Sequence, residues 1–173
     1  MKKNIFLALV LCCICITVKG QISKGNWMLG GDVIVKGFKH EDSEKYLYYA
    51  ELFPKVGYFV SDKLVVGGEV GFYKAENSSL YTSFVPFCRY YLLDYDKKNN
   101  PFVEGGVGFK YHEYNKLEES LTELMHYFKA GVSAFFTNST ALNITLNYKR
   151  NSFQFDKEIS MAVGVQIHLE KKR

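Results

Sequence analysis

The sequence contains no apolar run long enough to cross a bilayer as a helix, which takes roughly 18–20 residues; the longest, Ile5 to Val18, falls short. Proline is scarce, with 3 in 173 residues, and no stretch reads as a domain linker. Cysteine is almost confined to the start: Cys12, Cys13 and Cys15 precede a lone Cys88. That single later thiol rules out an internal disulfide in the rest of the chain and a cysteine-based metal site. Charge of one sign is also missing. The formal net charge is +4, with 23% charged against 47% hydrophobic residues, which excludes an intrinsically disordered chain. What is plentiful is aromatic: 14 Phe and 13 Tyr, beside 14 Gly. Strands favour aromatic residues, so the composition points to an all-β protein.

Residues 1–20 read as an export signal. Lys2 and Lys3 supply a positive start, Ile5 to Val18 an apolar stretch, and Val18-Lys19-Gly20 a cleavage site before Gln21. Residues 21–173 then form one domain. Removing the signal takes Lys2, Lys3 and Lys19 away and lowers the net charge from +4 to +1. The basic balance is therefore no argument for a nucleic-acid partner.

The remaining chain divides into eight segments of strand length, near 26–36, 45–60, 64–73, 80–92, 101–112, 123–136, 141–149 and 158–169. A helix over Asn115–Met125, where Leu117, Leu121 and Leu124 have helical spacing, is the weaker alternative to a loop feeding a strand. Within each segment the charges keep to one parity. One face carries Leu29, Val33 and Val35, then Leu52 and Val56, then Val66, Val70 and Phe72, and so on to Val163, Val165 and Ile167, with no formal charge. The opposite face carries Asp32, Lys36, Lys45, Glu51, Lys55, Glu69, Arg89, Glu104, Lys110, Glu123, Lys129, Lys149 and Glu158.

Alternation alone does not say which face looks inward. Two features favour an inside-out barrel in a membrane. An eight-stranded barrel has an interior only just wide enough for side chains. Most glycines (Gly30, Gly57, Gly67, Gly71, Gly106, Gly108, Gly131, Gly164) lie on the charged face, so small residues suit the lumen and bulky ones the exterior. In addition, Trp27, Tyr46, Tyr48, Tyr58, Phe72, Tyr90, Tyr111, Phe136 and Tyr148 gather near the ends of the apolar face, as an interfacial girdle requires. Lipid offers no hydrogen-bond partner, so the strands must close on themselves. The fold predicted is an eight-stranded antiparallel up-and-down transmembrane β-barrel with both ends on the periplasmic side.

The run Phe53-Pro54-Lys55-Val56-Gly57-Tyr58-Phe59-Val60-Ser61-Asp62-Lys63-Leu64-Val65-Val66-Gly67 resembles the small outer-membrane β-barrel domain family common in Bacteroidetes-type bacteria. Pro86-Phe87-Cys88-Arg89-Tyr90-Tyr91 and Pro101-Phe102-Val103-Glu104-Gly105-Gly106-Val107-Gly108 are similar to that family's fourth and fifth strands. The resemblance implies an OmpA/OmpX-type barrel in the outer membrane of a Gram-negative bacterium, with no enzymatic role for most members. Such barrels usually end on an aromatic residue; here Ile167 and Leu169 stand at that spacing, followed by Glu170-Lys171-Lys172-Arg173.

The charges of the inner face are the candidate site. Glu51, Glu69 and Glu104 are placed at one depth, with Lys55, Arg89 and Lys129 nearby, and burial in a narrow lumen demands that they pair. The reading that follows is a salt-bridge network plugging the bore. The alternatives are a narrow gated, porin-like channel and a lipid-modifying barrel enzyme using His126 with Ser79 or Ser120. No cofactor or metal is expected: His40, His112, His126 and His168 lack metal-ligand spacing, and His40 with Glu41 and Asp42 is at best a weak cation site. Gly105-Gly106-Val107-Gly108 lacks the Lys-Ser/Thr of a phosphate loop. Three Asn-x-Ser/Thr matches (Asn77, Asn138, Asn143) are chance, and Cys88 is an inert small hydrophobe. The expected partners are membrane lipid and lipopolysaccharide around a monomer. A protein or surface polysaccharide is expected at the exposed loops Lys39–Lys45, Lys74–Ser79, Tyr114–Glu123 and Arg150–Lys157.

Overall fold

The structure, a computed structural model, describes residues 22–39, 46–75, 81–94, 96–113, 120–151 and 157–170. The export signal expected over residues 1–20 and the His40-Glu41-Asp42 cluster lie outside them. Eight strands follow in chain order: β1 (Trp27–Lys39), β2 (Tyr46–Ser61), β3 (Leu64–Ala75), β4 (Tyr81–Tyr91), β5 (Asn99–Glu113), β6 (Ser120–Phe135), β7 (Thr140–Asn151) and β8 (Lys157–Leu169). Each pairs antiparallel with the next, and β1 pairs with β8, which closes the sheet. The helical alternative at Asn115–Met125 is overturned from Ser120 onward, because Glu123 faces inward opposite Lys110 while Leu124 faces outward, a period of two. Residues 114–119 lie outside the described residues. The expected loop Arg150–Lys157 is also shorter than the sequence suggested, since Arg150, Asn151 and Lys157 belong to strands.

The β2–β3 turn shows how local chemistry sets register. Lys63 adopts a φ of 70°, a left-handed conformation costing a non-glycine residue about 1–2 kcal/mol. Pairing also slips between Phe59 and Ser61, as a bulge beside a tight turn requires. Neighbours hold the strained residue: the Lys63 carbonyl accepts the Tyr91 N–H at 2.9 Å, and its Nζ meets Asp94 Oδ1 at 2.6 Å. Next to it, Asp62 Oδ1 accepts the Lys24 N–H at 2.9 Å. The mid-strand prolines mark gaps in the ladder. Pro54 faces Gly31 and Pro86 faces Gly68, and the β2–β3 and β4–β5 pairings skip beside them, since proline has no N–H to give.

The barrel is polar within and apolar without. Val35, Phe136, Ile159 and Met161 stand two-thirds or more exposed on the outer face, whereas Arg89, Glu104, Glu69, Asp32 and Lys129 are at most 1% exposed inside. A water-soluble barrel has the reverse polarity; a transmembrane one has this. Of the expected girdle, Trp27, Phe72, Tyr90, Tyr111 and Phe136 lie exposed on the outer face and Tyr58 and Tyr148 are half-buried there; of Tyr46 and Tyr48 only the backbone is described.

The interior differs from expectation in one respect. It is not reserved for small residues: Phe53, Phe59, Phe87, Tyr91, Phe102 and Tyr127 are all buried there. The inward glycines make room for these rings. A Cβ at Gly67 would lie 2.8 Å from the Phe87 ring, and one at Gly131 3.0 Å from the Phe102 ring. Small and large residues thus face each other across a bore too narrow to stay empty.

Candidate functional site

Inward parity places a charged residue on each of the six strands β1 to β6 near mid-height, and their side chains meet on the barrel axis. Lys55 on β2 and Lys129 on β6 come from opposite walls. Lys55 Nζ lies 2.8 Å from Asp32 Oδ2, 2.9 Å from Glu69 Oε2 and 3.1 Å from Glu104 Oε1. Lys129 Nζ lies 3.2, 2.6 and 3.4 Å from the same three atoms. Two ammonium groups therefore share three carboxylates. The third cation, Arg89 on β4, donates Nε–H to Glu104 Oε2 at 2.6 Å. Three positive and three negative side chains, all 2% exposed or less, make a hub with no net formal charge.

That balance is what burial requires. An unpaired ion held away from water costs several kcal/mol, and pairing offsets this only when geometry is good and the remaining donors are satisfied. Lys55 donates to Asp32 Oδ2 and Glu104 Oε1 and holds Glu69 as its third ion-pair partner. Tyr127 adds an O–H to Glu104 Oε1 at 3.1 Å, and the Lys129 ammonium lies 4.4 Å from the Tyr127 ring centroid.

Arg89 links the hub to a second layer. Its Nη1 donates to Gln166 Oε1 at 2.7 Å on the opposite wall, and its guanidinium lies 3.9 Å from the Phe102 ring centroid. Gln166 also donates to the Tyr91 hydroxyl at 2.9 Å and accepts from Asn143 Nδ2 at 3.0 Å. Beneath, toward the chain termini, Phe59, Tyr91 and Phe135 surround the His168 ring, with His168 centroid distances of 5.2, 6.2 and 5.4 Å. The bore is thus crossed by an ionic layer and floored by an aromatic one.

Five of the six residues singled out from the sequence, Lys55, Glu69, Arg89, Glu104 and Lys129, converge in this hub. Glu51 does not. Its Oε2 pairs with Lys149 Nζ at 3.1 Å in a separate layer nearer the other end, where Lys149 also lies 4.0 Å from the Phe53 ring centroid. The reason is register. Lys55 faces Glu69, whereas Glu51 faces Tyr73, so Glu51 and Glu69 were never level. Asp32 occupies the place expected for Glu51. Its inward parity was legible, but its depth depends on the β1–β2 register. Gln166, Tyr91 and Tyr127 carry no formal charge at neutral pH and escape a search by charge.

For the lipid-modifying alternative, His126 lies half-buried on the outer face. Ser79 lies outside the described residues, and of Ser120 and His112 only the backbone is described. Cys88 is exposed on the outer face.

Comparison with known proteins bears on the architecture. The chain is similar to the N-terminal β-barrel domain of Pseudomonas aeruginosa OprF, with a TM-score of 0.62 and 15% identity over 84% of this chain and 98% of that one. It is also similar to Neisserial surface protein A, with a TM-score of 0.60 and 14% identity over 83% and 97% of the two chains. A designed transmembrane β-barrel gives a TM-score of 0.51 and 14% identity over 86% and 99%. No family model and no curated protein matches the sequence. At these identities the likeness is one of fold: a closed, eight-stranded antiparallel barrel of the kind found in small outer-membrane proteins.

Proposed function

We propose that this chain is a non-enzymatic outer-membrane β-barrel of a Gram-negative bacterium, exported by cleavage of residues 1–20, in which the strands serve as a plugged scaffold. Its specificity resides in the segments joining the strands at the end away from the termini. The observation that carries this reading is the hub: Lys55 and Lys129 reach the axis from opposite walls and bind the same three carboxylates. A conducting bore needs a continuous water path at that level, and the ion pairs and the aromatic floor occupy it. The exterior supports the membrane placement, since a band of exposed Val, Leu, Ile and Phe side chains gains from hydrocarbon and loses in water. The finer attribution to a Bacteroidetes-type family rests on the sequence motifs around Phe53–Gly67, Pro86–Tyr91 and Pro101–Gly108. The connecting segments 40–45, 76–80, 114–119 and 152–156 would contact a protein or a surface polysaccharide.

Two measurements test the reading. A closed barrel in detergent migrates faster on a gel before boiling than after; a single unshifted band refutes it. In planar bilayers the folded protein is expected to give no steady conductance. Open-channel steps altered by Glu104→Gln would replace the plug with a gated channel.

A further inference from the structure

We propose that the outer face of β6, β7 and β8, at the end away from the termini, binds the phosphate of a lipid headgroup through His126, Arg150 and Lys157. The inference rests on the outer-membrane reading above and adds a ligand to it.

The three residues form one row. His126 on β6 is the register partner of Arg150 on β7, and Arg150 is the register partner of Lys157 on β8. Register partners project to the same face with Cβ atoms about 4.5–5.5 Å apart. That face is the outer one: Phe128, two residues from His126, and Ile159, two from Lys157, are both more than half exposed. Among the described side chains these are the only basic residues on the exterior of the strands, and that exterior carries no carboxylate. The nearest acids in sequence, Glu123 and Glu158, have inward parity; Glu123 is buried. None of the three basic residues makes an ion pair among the described residues.

Their height decides what they meet. From Leu169 to Lys157 a strand rising ~3.3 Å per residue at ~40° tilt climbs about 30 Å; from Phe136 to His126 it climbs about 25 Å. The apolar band of such a barrel is ~25 Å tall. The row therefore stands at the upper edge of the band, at headgroup level. Directly beneath lies a second register row, Phe128, Tyr148 and Ile159, with exposed Leu146 and Met161 below. Cations above an apolar strip match a lipid with phosphate above acyl chains.

The charge count selects the headgroup. A phosphate monoester carries a charge of about −1.5 to −2 at neutral pH, which suits two permanent cations and an imidazole better than a singly charged diester does. Arginine supplies the planar donor fork that phosphate oxygens accept in pairs. Lysine and histidine flank it as point donors. The ligand class is a phosphorylated lipid whose terminal phosphate is a monoester.

The test uses the full chain folded in detergent, with bound lipid counted by native mass spectrometry. The probes are a bis-phosphorylated lipid A and the same lipid with both phosphates removed. The unmodified protein is expected to retain the phosphorylated lipid about tenfold better, and Arg150→Gln/Lys157→Gln is expected to erase the preference while keeping the heat-dependent gel shift. Single His126→Gln and Lys157→Gln variants should weaken it in part. Equal retention of the two lipids by the unmodified protein overturns the proposal. So does a preference that survives in the folded double variant, or displacement of the lipid by excess inorganic phosphate, which would mark a site for free anions. A chain that shows no gel shift at all overturns the outer-membrane reading, and this proposal with it.

Discussion

Replacing Lys129 by methionine would leave three carboxylates facing two cations on the barrel axis. Lys129 approaches Asp32, Glu69 and Glu104 at 3.2, 2.6 and 3.4 Å. Lys55 still touches all three and cannot neutralise them. Breaking a buried ion pair from one side costs about 3–5 kcal/mol, because the orphaned partner stays buried. Lys55 shields part of that charge, so the expected loss is near the lower end, about 3 kcal/mol. Glu69→Gln should cost a similar amount by leaving a positive excess. The double variant restores the balance, with Asp32 and Glu104 against Lys55 and Arg89, so its loss should fall below the sum of the singles by about 2 kcal/mol. Urea unfolding of the barrel in lipid vesicles measures all of these. Trp27 is the only tryptophan and sits nearly half exposed on the outer face, so its emission reports the loss of the lipid contact. Single-variant losses under 1 kcal/mol, or losses that simply add, would refute the claim that these six side chains form one electrostatic unit.

Two other outcomes follow from the geometry. Gly67→Ala should destabilise the barrel by at least about 2 kcal/mol, because the new methyl meets first the Val56 carbonyl, then the Gly57 backbone at 2.7 Å and the Phe87 ring at 2.8 Å; Gly105→Ala should cost less than about 1 kcal/mol, since its nearest neighbour would be 3.9 Å away, and equal losses in the same unfolding assay would contradict the packing. At the β2–β3 turn, the hydrogen bond from Lys63 holds the Asp94 carboxyl below its ordinary range, with the Lys63 charge acting the same way. The folded carboxyl is therefore the stronger acid, and the contact helps the turn above the ordinary carboxylate range and is lost as pH falls through the lowered value. Lys63→Ala should move the Asp94 midpoint upward in an NMR titration; an unmoved midpoint would deny the contact in solution.

Much of this architecture was legible because a barrel wall is built on a two-residue period. Parity alone gives a face to each charge inside the eight predicted segments, and those segments match the eight strands with ends shifted by a few residues; Arg150 and Lys157, read as loop residues, lie in β7 and β8. Depth was not legible in the same way. Level across neighbouring strands depends on register, which turns and bulges set, such as the slip between Phe59 and Ser61. Hence Glu51 was placed in the hub and Asp32 left out. The buried rings were missed for a different reason. Phe59, Tyr91 and Phe102 face inward by the same parity as the charges, but a volume argument counting only glycines assigned bulk to the exterior. Seen in pairs, Gly67 with Phe87 and Gly131 with Phe102, the two classes of residue are one packing device.

The order of the layers matters for how such a barrel could open. Ion pairs are strong where water is kept away and weak where it enters. In this lumen the aromatic floor of Phe59, Tyr91, Phe102 and Phe135 lies directly beneath the hub, and Arg89 belongs to both layers, through Glu104 above and through Tyr91, Gln166 and the Phe102 ring below. Moving the floor aside would admit water to Arg89 and weaken its bond to Glu104. Glu104 also holds Lys55, Lys129 and the Tyr127 hydroxyl. The two layers therefore give way together, not one at a time. Opening the bore then costs the sum of both, while a change at the outer rim leaves each intact.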